Sequence, residues 1–163
     1  RDCSPADYDT SLTFAVMRNP IERAISIYRY AKSGGNKTRR DKDKFSWTTN
    51  LSFPDFVKAL PSQQEANFAP QSHFIVDDNG KLLVNEVLCT KRLAAGWQRL
   101  SALEPKLLTY GDFPRLRSRK TPSDIEQVTE DQLDAETEKG LREFYSNDFG
   151  LWEKYCGNKL STY

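Results

Sequence analysis

Arg18 and Ser26 stand eight residues apart, where an apolar run gives way to a helical pattern. A guanidinium group fits phosphate or sulfate with two parallel hydrogen bonds, and both the carboxyl end of a buried strand and a helix N-terminus attract anions. If a helix begins at Pro20, Ser26 lies about 9 Å along it at ~1.5 Å per residue. The two side chains therefore share an anion only if it lies beside the helix. Two ordinary roles stay open: Arg18 can pair with a carboxylate, and Ser26 can face solvent or bond the helix backbone.

A second group of cations lies in one short segment, which holds Arg115, Arg117, Arg119 and Lys120. Four cations in six residues on a loop can close over a polyanion, or they can be an ordinary solvated charge run. His73 is the one histidine, the residue type that most often serves as a general acid or base. Its place in a strand-like run favours a structural or surface role over general-base chemistry.

The bulk composition limits the classes of protein. The chain has 163 residues, 37% of them hydrophobic, which is enough for one domain. Its 24 basic and 23 acidic residues nearly cancel, so a positive site must be local and indiscriminate nucleic-acid binding is not indicated. The three cysteines form no CxxC pair and, with one histidine, lack zinc-site spacing. No apolar run approaches the ~20 residues of a membrane span.

The elements that must position Arg18 and Ser26 follow from the local pattern. The run 11–17 reads as a strand buried on both faces, Asn19 is suited to cap a helix over 20–33, and the buried face of that helix has a helical period. Segment 34–50 reads as a long polar loop, and Ser52 as the cap of a short helix.

The rest of the chain reads as a hairpin followed by helices. Two β-rich runs, 72–76 and 81–88, flank an Asp-Asn-Gly turn, which predicts a hairpin. A helix is predicted over 90–102, and 106–109 reads as a short strand or an extended connection. Segment 113–128 reads as a second polar loop, Thr129 and Gln132 as a capping box that opens a helix to about 146, and 148–155 as a last helix.

The stretch "FAVMRNPIERAISIYRY" resembles the strand-loop-helix with which the sulfotransferase superfamily binds the 3′-phosphate of its donor. "SFPDFVKAL" is similar to the short helix that follows in that family, and "NFAPQSHFIVDDNGKLLVNEVL" to its Pro-Gln segment and hairpin. "LREFYSNDFGLWEKY" is similar to its C-terminal helix. The resemblance spans nearly the whole chain and is nearest to the carbohydrate-type branch.

The resemblance implies an α/β fold like that of P-loop kinases, a parallel sheet flanked by helices with a mostly helical C-terminal half. It implies 3′-phosphoadenosine 5′-phosphosulfate as donor, 3′,5′-adenosine bisphosphate as product, no metal, and a hydroxyl acceptor on a carbohydrate or similar molecule. Arg18 and Ser26 would hold the 3′-phosphate, and Arg117, Arg119 and Lys120 would close over the nucleotide, whereas no catalytic base is assigned. The expected compartment is the cytoplasm for a bacterial protein and the Golgi lumen for a eukaryotic one.

One family signature has no counterpart in this sequence. A Gly-containing loop with a Lys normally precedes the 3′-phosphate motif, and none of the seventeen residues before Arg18 reads as such a loop. We therefore expect an N-terminally truncated domain with half of the donor site, in keeping with a first residue that is Arg1. The alternative is a degenerate domain that binds the nucleotide without transfer. A small-molecule kinase would need a Gly-x-x-x-x-Gly-Lys-Ser/Thr loop, which this chain lacks.

Overall fold

The computed structural model of the protein describes residues 10–111 and 125–157. Within them the chain is α/β, and two short parallel strands are accompanied by helices. The strands and α-helices are β1 (Phe14–Met17), α1 (Pro20–Lys32), α2 (Arg39–Phe45), α3 (Phe53–Ala59), α4 (Ser72–Ile75), β2 (Glu86–Cys89), α5 (Leu93–Leu103), α6 (Ala135–Phe144) and α7 (Ser146–Cys156). Short 3-10 helices cover Ser46–Thr48, Leu60–Ser62, Thr90–Arg92, Pro105–Tyr110 and Glu130–Gln132. No helix in these two ranges is long and apolar enough to cross a membrane.

The described residues form two compact units. The first contains 10–18, 71–111 and 150–157, and therefore both strands with α4, α5 and most of α7. The second contains 19–70 and 125–149, and therefore α1, α2, α3 and α6. Each unit has a hydrophobic cluster of its own.

The first unit is built on the parallel pair of β1 and β2, in which Met17 lies opposite Cys89. One face of the pair packs into a cluster with Ile75 and Cys156. On the other face, Phe14 and Val16 are 42% and 44% exposed. The predicted strand is thus confirmed over 14–17, but the prediction that both of its faces are buried is wrong within the described structure.

A side-chain amide fastens the beginning of β1. Asn85 Oδ1 accepts hydrogen bonds from the Thr13 backbone N–H at 2.8 Å and from the Thr13 hydroxyl at 2.7 Å. The Asn85 backbone N–H donates in turn to the Thr13 carbonyl at 3.0 Å. The peptide just before the strand is therefore held by Asn85, which precedes β2.

A disulfide joins the last residue of β2, Cys89, to the last residue of α7, Cys156. The two cysteines are 67 residues apart in the chain, and both are buried. Spacing gave no sign of this pairing, because neither cysteine belongs to a local motif.

The second unit is organised around the buried face of α1, which the sequence predicts correctly. Its members recur at helical spacing and are fully or almost fully buried: Ile21, Ala24, Ile25, Tyr28 and Ala31. They pack against an aromatic group from α2, α3 and the following segment, in which Trp47 stacks on Phe56 with ring centroids 5.7 Å apart. Leu141 and Tyr145 close the cluster from the C-terminal part of the unit. The capped helix predicted after Ser52 is also present, as α3.

The prediction that segment 34–50 is a polar loop is wrong, because α2 lies within it. Thr38 caps this helix, its hydroxyl accepting from the Asp41 N–H at 3.1 Å, and Phe45 anchors it in the core. A seven-residue helix with one apolar residue has no period to detect. In the second predicted loop, 125–128 contains no helix or strand, and 112–124 lies outside the described residues.

The predicted hairpin is wrong in its first arm, since Ser72–Ile75 forms α4. The Asp-Asn-Gly turn is present: Asp77 Oδ1 accepts from the N–H groups of Asn79 and Lys81 at 3.0 and 2.8 Å. A single antiparallel bridge joins Val76 to Leu82 beside it. The second arm becomes β2, whose partner is β1.

Two further boundaries differ from the sequence prediction. Pro105–Tyr110 is a 3-10 helix instead of a strand or an extended connection. The capping box of Thr129 and Gln132 is present but encloses a 3-10 turn. Helix α6 begins later, where Asp134 Oδ1 accepts from the Thr137 N–H at 2.7 Å.

Candidate functional site

Arg18 is the first residue beyond the β1 ladder and is half-buried. The Gln71 carboxamide binds both backbone groups of Arg18. Gln71 Oε1 accepts from the Arg18 N–H at 3.0 Å, and Gln71 Nε2 donates to the Arg18 carbonyl at 3.0 Å. The arginine therefore extends from a fixed backbone at the carboxyl end of a parallel strand, where α/β proteins bind their ligands.

The N-terminus of α1 is closed by its own cap. The Asn19 side chain accepts from the Ile21 N–H at 2.9 Å and from the Glu22 N–H at 3.2 Å, and Pro20 has no N–H to offer. Because these two N–H groups are already bonded to Asn19, they are not available to an anion at the helix tip. This agrees with the geometric requirement that an anion bound by Ser26 lie beside α1.

The sequence-predicted site residues fall in different parts of the molecule. Arg18 belongs to the first unit, and Ser26, half-buried in the middle of α1, belongs to the second. Their shared binding of a phosphate stays a prediction. Arg117, Arg119 and Lys120 lie outside the described residues, so their role also stays a prediction.

His73 and Arg23 both lie on helices, His73 on α4 in place of the strand-like run expected for it and Arg23 on α1. His73 is an exposed residue of α4. The Arg23 guanidinium donates to two backbone carbonyls, those of Ala69 at 2.8 Å and Asn67 at 3.2 Å. It also lies over the Tyr145 ring, 5.6 Å from its centroid. Arg23 thus holds the backbone of the segment that precedes Gln71.

Tyr145, like Arg23, is hydrogen-bonded to the backbone of the segment before Gln71. Its hydroxyl donates to the Phe68 carbonyl at 2.9 Å. Burial raises the pKa of Tyr145 to about 12, although the nearby Arg23 charge acts in the opposite direction. Tyr145 is consequently neutral at physiological pH and acts as a hydrogen-bond donor.

Tyr28 forms a second polar cluster in the same unit. Its hydroxyl lies 2.8 Å from Glu126 Oε2 and 3.0 Å from the Leu51 carbonyl. Burial, and then Glu126, raise the pKa of Tyr28 well above its usual value. Nearby, Arg29 donates to the Val128 carbonyl at 2.6 Å. These contacts fasten residues 126–128 to α1 and give Arg29 a structural role.

Two open cavities flank α3 in the second unit. The larger, about 450 Å³, has an apolar floor that includes Val57 and Phe144, and Lys58 and Glu136 form an ion pair at 3.2 Å on its rim. The smaller, about 250 Å³, lies beside Glu126. Their charged groups are paired mainly with protein partners, so neither cavity presents an evident catalytic pair. In the described ranges, no three His, Cys, Asp or Glu side chains gather as a metal site would require.

A sequence model of the sulfotransferase family matches residues 3–155 of the chain. The chain belongs to the sulfotransferase family. This confirms the family resemblance, and it makes the protein a transferase domain whose match includes Arg18, Ser26 and Gln71. Comparison with curated proteins and with solved structures returned no match.

Sequence reasoning missed two features of this sulfotransferase. Gln71 was visible as the second residue of the Pro-Gln segment, but a glutamine has no pattern that names its partner 53 residues away. The Cys89–Cys156 pair was likewise hidden by its long spacing. Both depend on which chain segments meet in the fold.

Proposed function

We propose that this protein transfers a sulfuryl group from 3′-phosphoadenosine 5′-phosphosulfate to a hydroxyl of a carbohydrate or similar acceptor. The observation that carries the proposal is the position of Arg18, held by its backbone at the end of a parallel strand within a family match over residues 3–155. In this proposal Arg18 and Ser26 bind the 3′-phosphate, and Arg117, Arg119 and Lys120 contact the nucleotide. A fold organised like that of P-loop kinases belongs to the same proposal.

The chemistry proposed is an in-line transfer. The acceptor oxygen forms a bond to sulfur as the bond from sulfur to the phosphate oxygen breaks, and the proton of the acceptor hydroxyl passes to a base. Positive groups that neutralise the charge on the leaving phosphate lower the barrier. Arg18 and Ser26 act at the 3′-phosphate, away from the reacting sulfur, so their contribution is to binding and orientation.

Calorimetry with 3′,5′-adenosine bisphosphate tests donor recognition. We expect the wild-type chain to bind, and Arg18→Ala to weaken binding by roughly tenfold to a hundredfold, because hydrogen bonds to a charged group contribute about 1.5–3 kcal/mol. The matched control is Arg142→Ala, which removes an arginine that pairs with Glu138 on α6 at 2.7 Å. Equal affinities for all three proteins would refute the proposed role of Arg18.

Transfer is tested separately from binding. Donor labelled in its sulfuryl group is incubated with the protein and a panel of polysaccharides, and the label in each polysaccharide is counted. Label in an acceptor supports the transferase and refutes the expectation that this chain is a fragment without activity of its own. Nucleotide binding without label in any acceptor is the result expected both for such a fragment and for the alternative, a degenerate 3′-phosphonucleotide-binding domain.

We further propose that the protein works in an oxidising compartment. The support is the disulfide between Cys89 and Cys156, because protein disulfides persist in secretory and periplasmic compartments and are rare in the cytosol. For a eukaryotic source this favours the Golgi lumen. Thiol alkylation of the protein in its native cells, before and after reduction, tests it: protection of both cysteines until reduction is expected, and free thiols at both would refute it.

A further inference from the structure

The contact between Gln71 and Arg18 has the form of a strand pairing made by a side chain. The β1 ladder ends where Met17 lies opposite Cys89, so Arg18 is one residue beyond it. The Gln71 carboxamide accepts from the N–H of Arg18 and donates to its carbonyl, each at 3.0 Å. One amide thus supplies the donor and the acceptor that a neighbouring strand would otherwise supply.

Few side chains can make this contact. It needs one acceptor and one N–H donor side by side on a short rigid group, a combination that carboxamides provide and that carboxylates and hydroxyls do not. Arg18 and Gln71 are both half-buried, so replacing the carboxamide with an apolar group would leave two backbone groups poorly solvated. The choice of glutamine at this position therefore fits the geometry of the Arg18 backbone.

The consequence for binding lies in the direction of the Arg18 side chain. A guanidinium group binds phosphate through a planar fork, so its affinity depends on how the side chain approaches. Holding the N–H and the carbonyl of Arg18 fixes the direction of its Cα–Cβ bond before any ligand arrives. Ordering that is present in the free protein does not oppose binding.

We propose that Gln71 is the positioning residue for Arg18 in binding the 3′-phosphate of the donor. This inference rests on the proposed function, because it assigns Gln71 a part in the same phosphate site. Gln71 acts through the backbone of Arg18 and needs no contact with the nucleotide.

The chain offers a matched control at the other end of the same strand. Asn85 also binds the backbone of Thr13: its carboxamide oxygen accepts from the Thr13 N–H, and its own backbone N–H donates to the Thr13 carbonyl. Thr13 carries no charge, so losing the Asn85 amide should weaken the strand without affecting a phosphate site. Comparing the two positions separates positioning of Arg18 from simple stabilisation of β1.

The experiment is a calorimetric cycle with 3′,5′-adenosine bisphosphate on four proteins besides wild type: Gln71→Met, Asn85→Leu, Arg18→Ala, and Arg18→Ala combined with Gln71→Met. We expect Gln71→Met to raise Kd about tenfold and Asn85→Leu less than about twofold. In the Arg18→Ala background, Gln71→Met should change Kd by less than about twofold, because the residue through which it acts is gone.

The outcomes separate this inference from the proposed function. No binding by wild type would overturn both. Binding that depends on Arg18 but is equally affected by Gln71→Met and Asn85→Leu would overturn the positioning role alone. So would a tenfold effect of Gln71→Met that persists without Arg18, which would instead indicate direct contact of Gln71 with the nucleotide.

Amide hydrogen exchange gives a second readout that needs no nucleotide. The Arg18 N–H is bonded to Gln71, so Gln71→Met should speed exchange at Arg18, whereas Asn85→Leu should speed it at Thr13. Faster exchange throughout the chain would mean that Gln71→Met unfolds it. In that case Gln71→Glu, which keeps the acceptor for the Arg18 N–H and loses the donor to its carbonyl, takes its place in the cycle. Unchanged exchange at Arg18 would overturn the inference.

Discussion

Removing the disulfide should cost the protein a large part of its stability. Cys89 and Cys156 are separated by 67 residues. The chain-entropy relation for a loop of that length gives about 4 kcal/mol at 25 °C, since the crosslink restricts the unfolded chain. A domain of this size is stable by roughly 5–15 kcal/mol, so Cys89→Ala with Cys156→Ala should lose between about a quarter and most of it.

Urea unfolding, followed by circular dichroism and tryptophan fluorescence, measures this loss. We expect a lower midpoint together with a steeper dependence on urea, because the unfolded chain without the crosslink exposes more surface. Reduced wild-type protein should behave like the double variant, since both lose the same crosslink. Cys3→Ala, which removes the third cysteine, is the control. A double variant within about 1 kcal/mol of wild type would refute the reasoning.

Three further changes have expected outcomes in the same unfolding assay. Gly96→Ala should destabilise by about 1–3 kcal/mol, because its Cβ would come within 2.7 Å of Cγ of the fully buried Leu88. The hydrogen bond from the Thr137 N–H lowers the pKa of the Asp134 carboxyl. The ionised Asp134 therefore stabilises α6 above about pH 4, and this stabilisation is lost on further acidification. Asp134→Asn should flatten the acid part of the curve of stability against pH. Tyr145→Phe should lower the free energy of unfolding by about 1–3 kcal/mol, because it leaves the Phe68 carbonyl unbonded. The raised pKa of Tyr145 makes wild type lose stability between about pH 10 and the folded pKa of about 12, and Tyr145→Phe should abolish that part of the loss.

Each of these predictions has a matched comparison. Gly150→Ala should be neutral or stabilising, because nothing lies within 4 Å of the position its Cβ would take; a loss like that of Gly96→Ala would contradict the steric argument. An acid profile that Asp134→Asn leaves unchanged would show that other carboxylates dominate it. An equal loss of stability at alkaline pH in Tyr145→Phe and wild type would show that other tyrosines cause it.

Local signals carried much of the sequence prediction. Helix α1 has a cap at Asn19, a proline at its first position and a clean apolar period, and all of these act within one stretch of chain. The strand before it and the capped start of α3 were similarly predictable. Arg18 and Ser26 could be nominated because their types and spacing fit an anion, and the family resemblance gave that anion an identity.

Tertiary partners account for what the sequence did not predict. Helix α2 depends on the burial of Phe45 among aromatics from other segments, and α4 interrupts a run that looked like a strand. The bond of Gln71 to Arg18 and the disulfide at Cys89 join residues more than fifty positions apart. Such contacts form only in the folded chain, and no local hydrophobic period or capping residue predicts them.

The two carboxamides that hold β1 also decide which residues of that strand face the core. A ladder of four residues is short enough to slip, and a slip of one position would turn every side chain of the strand to the opposite face. Asn85 is hydrogen-bonded to Thr13 just before the ladder, and Gln71 is hydrogen-bonded to Arg18 just after it. If the strand slipped, neither Asn85 nor Gln71 would meet the backbone groups that it now binds. The alignment of β1 with β2 is therefore stabilised at both ends of the strand. The strand that presents the arginine is therefore aligned by contacts that lie outside its own ladder.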